Sequence, residues 1–102
     1  MKRALETHRI TWQGIVVEIR YEAAWFGTNG PFSTAHLEVE AIEPEQSELP
    51  FTETGYRSHF TSADDVAEAG GPVAYARAWL DHAARSPAWK DRQEKARQLS
   101  LF

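Results

Sequence analysis

No cysteine occurs among the 102 residues, which excludes a disulfide framework, a thiolate zinc site and a cysteine nucleophile together. Long apolar runs are missing too. Nothing approaches the roughly 20 consecutive apolar residues that span a bilayer, so no membrane contact is expected. Lys2 and Arg3 have no apolar stretch behind them, so neither a secretory signal nor a transit peptide is readable. The expected location is the cytoplasm. Basic residues are scarce in the middle of the chain: between Glu38 and Glu68, nine acids face the single base Arg57. Phosphate binding needs a basic surface, so this middle argues against wrapping the domain in nucleic acid. Only the segment from Arg85 to Arg97, with Arg85, Lys90, Arg92, Lys95 and Arg97 against Asp91 and Glu94, could touch DNA, and then weakly.

What is present describes one folded domain. The length suits a single core. A hydrophobic content of 42%, with four Trp, three Tyr and five Phe, is enough to pack that core rather than leave the chain disordered.

The first half reads as strands. Ile10–Trp12 and Ile15–Glu22 are separated by Gln13 and Gly14, the signal of a tight hairpin. Ile15, Val17, Ile19 and Tyr21 alternate with Val16, Glu18, Arg20 and Glu22, which gives one buried and one wet face. The segment WFGTNGPFSTA is rich in turn formers, and its Trp25, Phe26 and Phe32 are expected to fold back on the sheet edge or to form a contact surface. Ala35–Ile42 makes a third strand. After EPEQSELP, Phe51–Phe60 is a fourth and weaker one, with Tyr56 and Phe60 expected in the core.

Beyond Phe60 the period becomes helical. Ser62 stands before Asp64 and Asp65 as an N-cap with acids in the first turn, and Gly70–Gly71 stops that helix. Pro72 opens a second helix, whose Val73, Ala76, Leu80 and Ala83 form one stripe. Ser86–Pro87 repeats the pattern and opens a third, from about Ala88 to Arg97. Its Trp89 is apolar while most of the rest is charged, so it is expected to dock only in part. The expected fold is α+β: an antiparallel meander of three to four strands with two to three C-terminal helices on one face. Residues 1–97 form the domain and 98–102 a separate peptide.

That peptide, Gln98, Leu99, Ser100, Leu101 and Phe102, puts three large apolar side chains directly after a charged helix. It resembles the pentapeptide by which bacterial replication and repair proteins bind the polymerase sliding clamp, and all five positions agree with the preferred form of that motif. In that family the glutamine amide hydrogen-bonds at the mouth of a hydrophobic cleft, which the leucine and terminal aromatic fill. The chemistry suits these residues, since Gln98 can donate and accept while Leu101 and Phe102 supply an apolar anchor. The resemblance implies a clamp-docking, non-enzymatic adaptor in DNA replication, repair or a mobile element.

Elsewhere, His36 and Glu38 with Arg57 and His59 form a candidate polar site. Two histidines beside carboxylates can bind a divalent metal or exchange protons, although no HExxH-like spacing supports a metal, and neither a metal nor a cofactor is assigned. A small enzyme built on these four residues is the first alternative; a homo-oligomeric module is the second. The strings TETGYRSHF and GGPVAYARAWLDHAA look like those of short uncharacterised proteins of alphaproteobacteria and their mobile elements, a likeness that implies a bacterial setting and no particular activity.

Overall fold

The computed structural model describes residues 5–23 and 34–99. They form four strands and three helices in the order β1 (Leu5–Trp12), β2 (Ile15–Glu22), β3 (Thr34–Glu43), β4 (Tyr56–Ser62), α1 (Ala63–Ala69), α2 (Pro72–Ala83) and α3 (Pro87–Leu99). The strands lie in one antiparallel sheet in chain order. This is the expected α+β meander.

The turn between β1 and β2 works because both central residues have positive φ, 47° at Gln13 and 80° at Gly14, the twist that suits a two-residue hairpin. β1 begins at Leu5, five residues before the apolar run that marks it in the sequence. Its polar first half, Glu6 to Arg9, is exposed or half-exposed and is extended by pairing with β2 from Leu5↔Glu22 onward, not by burial.

Alternation sets the core. Val17, Ile19 and Tyr21 of β2 and Ala35, Leu37, Val39 and Ala41 of β3 are buried, as their period of two predicts. Ala76 and Leu80 of α2 and Val66 of α1 cover that face. Burying a side chain the size of Leu80 is worth roughly 2–3 kcal/mol. α1 starts where the Ser62 side chain accepts a hydrogen bond from the Asp65 amide at 3.1 Å and stops at Gly70, whose φ is 106°.

The fourth strand departs from expectation. It starts at Tyr56, not Phe51, and its phase is inverted: Tyr56 and Phe60 are exposed, while His59 lies opposite the buried Leu37. Register explains the inversion. The segment from Pro44 to Gly55 folds as an ordered loop anchored by the buried Leu49 and by the Ala41 amide, which donates to the Gly55 carbonyl at 2.7 Å. That bond fixes where β4 begins, and the next residue, Tyr56, faces outward.

The third helix docks by its first turns only. Ser86 caps it by accepting from the Trp89 amide at 3.2 Å, and Trp89 is buried against Trp12 with ring centres 6.1 Å apart. Arg92 lies over the Trp89 ring at 5.5 Å, pairs with Glu48 at 3.5 Å and donates to the Pro50 carbonyl. Gln93 reaches the hairpin turn at Gln13. From Gln93 to Gln98 every side chain is exposed. The helix continues two residues past the expected Arg97 and takes in Gln98 and the backbone of Leu99.

Two glycines with similar φ separate strain from packing. At Gly55 a β-carbon would meet the Gln46 backbone at 2.8 Å, whereas at Gly14 nothing lies within 4 Å. Gly55→Ala should lower the unfolding free energy by roughly 2–4 kcal/mol and Gly14→Ala by only about 1 kcal/mol, read from urea midpoints.

Candidate functional site

Two regions present chemistry to solvent: the sheet face opposite the helices, and the exposed end of α3.

The outward residues of the sheet form cross-strand rows fixed by register. Arg9, Glu18, Glu40 and Tyr56 make one row; Thr7, Arg20, Glu38 and Ser58 the next; Leu5, Glu22, His36 and Phe60 the third. Arg20 sits at the centre. Its guanidinium binds Glu18, Glu38 at 3.5 Å and Glu40 at 3.0 Å, and Arg9 adds a second bond to Glu18 at 3.2 Å. Tyr56 donates its hydroxyl to Glu38.

The shifts in acidity follow from these contacts. Burial penalises charge on both Glu18 and Arg20, and for each the hydrogen-bonded partners outweigh it: the Glu18 carboxyl is held below its ordinary range by Arg20 and Arg9, and the Arg20 guanidinium is held above its own by the glutamates. Glu38 is lowered first by the Tyr56 hydroxyl and, against some burial, by Arg20. Tyr56 is raised in return by the Glu38 carboxylate it bonds. Glu18 and Glu38 are therefore held in their charged form, each engaged by Arg20.

Leu5, Tyr56 and Phe60, the large hydrophobic side chains left exposed among the described residues, all belong to this face. Hydrophobicity alone predicts the two aromatics in the core, and the register of β4 turns them outward. Glu22 and His36 are instead nearly buried there, and His36 packs on Phe60 with ring centres 4.7 Å apart.

The four residues of the predicted polar site are divided between the two faces. His36 and Glu38 point outward, whereas Arg57 and His59 point to the helix side. Arg57 donates to the Phe51 carbonyl at 3.2 Å. His59 lies against Trp79 at 4.6 Å between ring centres, with its Nε2 3.1 Å from the Tyr75 hydroxyl. Phe51 stacks on the same Trp79 at 4.1 Å, so His59 belongs to an aromatic ladder that ties β4 and the preceding loop to α2. No single centre forms from all four residues. Among the described residues no group of three or more His, Asp or Glu side chains is placed to hold a metal. An open recess of about 300 Å³ beside Glu40, lined also by Ala41, Ile42, Glu45 and Gln46, carries no nucleophile and no basic group.

Of the predicted docking peptide, Gln98 is exposed on α3 and the Leu99 backbone is helical, while Ser100, Leu101 and Phe102 lie outside the described residues, as do Trp25, Phe26 and Phe32.

An antiparallel sheet with helices on one face and the other face open defines a two-layer module that presents a surface, not a cleft. Residues 5–89 match the family model of the KlcB third domain, and the chain belongs to that family. Comparison with curated proteins and with solved structures gave no match. The family match ends at Trp89, the last buried side chain among the described residues of α3, so the exposed turns of the helix lie beyond it. No helix among the described residues is long and apolar enough to cross a membrane.

Burial, and then the nearby Arg57 charge, push His59 below its ordinary value of 6.5. The unfolded chain therefore takes up this proton first as pH falls, so the contribution of neutral His59 is complete above about pH 6.5 and is lost as pH drops through the lower folded value. An NMR titration of His59 should give a midpoint under 6.5 that moves upward in Arg57→Gln, and the loss of urea stability between pH 7.5 and pH 5 should be smaller in His59→Phe.

Proposed function

We propose that this protein is a cytoplasmic, non-enzymatic adaptor that docks on the bacterial sliding clamp through Gln98–Phe102, in DNA replication, repair or mobile-element maintenance. The observation that carries the reading is the bareness of the last turns of α3. From Gln93 to Gln98 every side chain is exposed, and past the Gln93–Gln13 bond these turns are held by internal pairs, Asp91–Lys95 at 3.3 Å and Glu94–Arg97 at 3.7 Å, of the kind that support solvated helices. Such a helix works as a spacer that presents its end. The peptide begins on that end, with the Gln98 amide already in solvent.

The body of the protein fits a carrier. Arg9, Glu18, Arg20, Glu38, Glu40 and Tyr56 of the open sheet face are bonded into one network, and a domain with an acidic middle approaches DNA more readily through a ring-shaped protein partner than by direct contact. The alternative of an enzyme or metal site would need His36, Glu38, Arg57 and His59 to converge, and they face opposite sides of the sheet.

Short apolar peptides that order on binding reach about micromolar affinity. Titration of purified bacterial clamp should give a dissociation constant of that order for the full chain, weakened at least about thirtyfold by Leu101→Ala with Phe102→Ala, a loss of about 2 kcal/mol. A chain ending at Arg97 should not bind. Equal binding by the full and shortened chains, or binding by neither, would overturn the reading.

A further inference from the structure

The open sheet face combines two features that each attract cations. Its strand residues carry Glu18, Glu22, Glu38 and Glu40 against Arg9 and Arg20, a formal net charge of −2. Tyr56 and Phe60 stand exposed along the β4 margin beside those carboxylates, and aromatic faces bind ammonium and guanidinium groups.

The helix has the opposite character. α3 carries Lys90, Arg92, Lys95 and Arg97 against Asp91 and Glu94, a formal +2, or +1 for its exposed side chains since Arg92 is held by Glu48 of its own domain, while the chain as a whole is at −4. The dimensions correspond as well. Lys90 to Arg97 covers about 10 Å along a helix axis, and His36 to Glu40 about 13 Å along a strand.

The helix cannot lie on the open face of its own copy. Trp12 projects to the helix side of the sheet, and Trp89 is held against it there, so α3 leaves the domain past the Gln13 turn with the sheet between it and that face.

We propose that the open sheet face receives the cationic α3 helix of a second copy of this chain. Lys95 and Arg97 approach the carboxylates and the rings of Tyr56 and Phe60, and their aliphatic stems cover apolar surface. Reciprocal exchange closes the assembly as a two-fold dimer, since each copy offers one helix and one face; one-way exchange would leave an open end and grow a filament.

The dimer does not depend on clamp docking. A chain ending at Arg97 keeps the basic helix while losing the peptide, so it should dimerise and fail to bind clamp, and the two readings fail separately.

Sedimentation equilibrium tests the dimer. At 50 mM salt the full chain should be a dimer at tens of micromolar, with a dissociation constant that rises about tenfold or more at 500 mM as the charges are screened. Lys95→Glu with Arg97→Glu should weaken association by about tenfold or more, and Phe60→Ala severalfold. Both changes fall on exposed positions, and circular dichroism should show the fold unchanged. A strict monomer up to about 1 mM at low salt, or a dimer indifferent to both changes, would sink the proposal. The same applies if binding of a basic peptide is detected at this face while the chain itself stays monomeric.

Discussion

The side chain of Trp12 joins the parts of this molecule. It ends β1, is 3% exposed, donates its indole N–H to Asp81 of α2 at 2.9 Å and packs against Trp89 of α3. An indole combines a large apolar surface with one directional donor, so a single residue can bury area and fix orientation. The hydrogen bond ties α2 to the outer edge of the sheet, and the ring contact sets where α3 must start. With that start fixed, the helix can only run past the hairpin turn and out of the domain.

The two faces of the sheet then have different energetics. On the helix side, stability comes from apolar burial under α2 and from the ladder Phe51, Trp79, His59 and Tyr75, in which a histidine takes the place of an aliphatic residue. On the open side it comes from mutual satisfaction, because Arg20 answers three glutamates at once and Tyr56 answers Glu38. Such half-exposed networks add little net stability. What they provide is order: Glu18 and Glu38 are held in place and in their charged form, the preorganisation that the proposed dimer would use. A loosely solvated set of glutamates would have to be ordered during binding, at a cost to affinity.

The sequence was most legible where one physical rule acted alone. Val17, Ile19, Leu37 and Val39 alternate without ambiguity, and Ser62, Gly70, Pro72 and Ser86 mark helix ends through local hydrogen bonding and backbone geometry. β4 was not legible, because both of its phases contain rings. Tyr56 and Phe60 read as core by hydrophobicity, while His59 reads as polar, and the decision rests on a backbone bond from Ala41 to Gly55 that no side-chain pattern announces. A phase with Tyr56 and Phe60 in the core puts Arg57 and His59 on the wet face beside His36 and Glu38, so the candidate polar site depends on that phase and is divided when it inverts. The first half of β1 was hidden for a related reason: pairing with a neighbour, not burial, makes it a strand. The role of Arg20 was equally out of reach, since alternation gives its face but not the three glutamates that register sets around it.

Trp89 is also the point at which the family pattern and the buried core end together. Up to that residue the chain shares the pattern of its family and buries a core; after it, each described side chain is exposed or half-exposed, and past Gln93 the helix is held by its own ion pairs. A change beyond Arg92 therefore costs the fold little, so charge and motif in this segment can vary without being constrained by packing. The recognition proposed for it would be modular in a physical sense. The domain sets the position of the helix through the buried tryptophan pair and the Arg92 and Gln93 contacts, and the helix then carries Lys95, Arg97 and the Gln98 side chain into solvent, where the proposed partners would meet them.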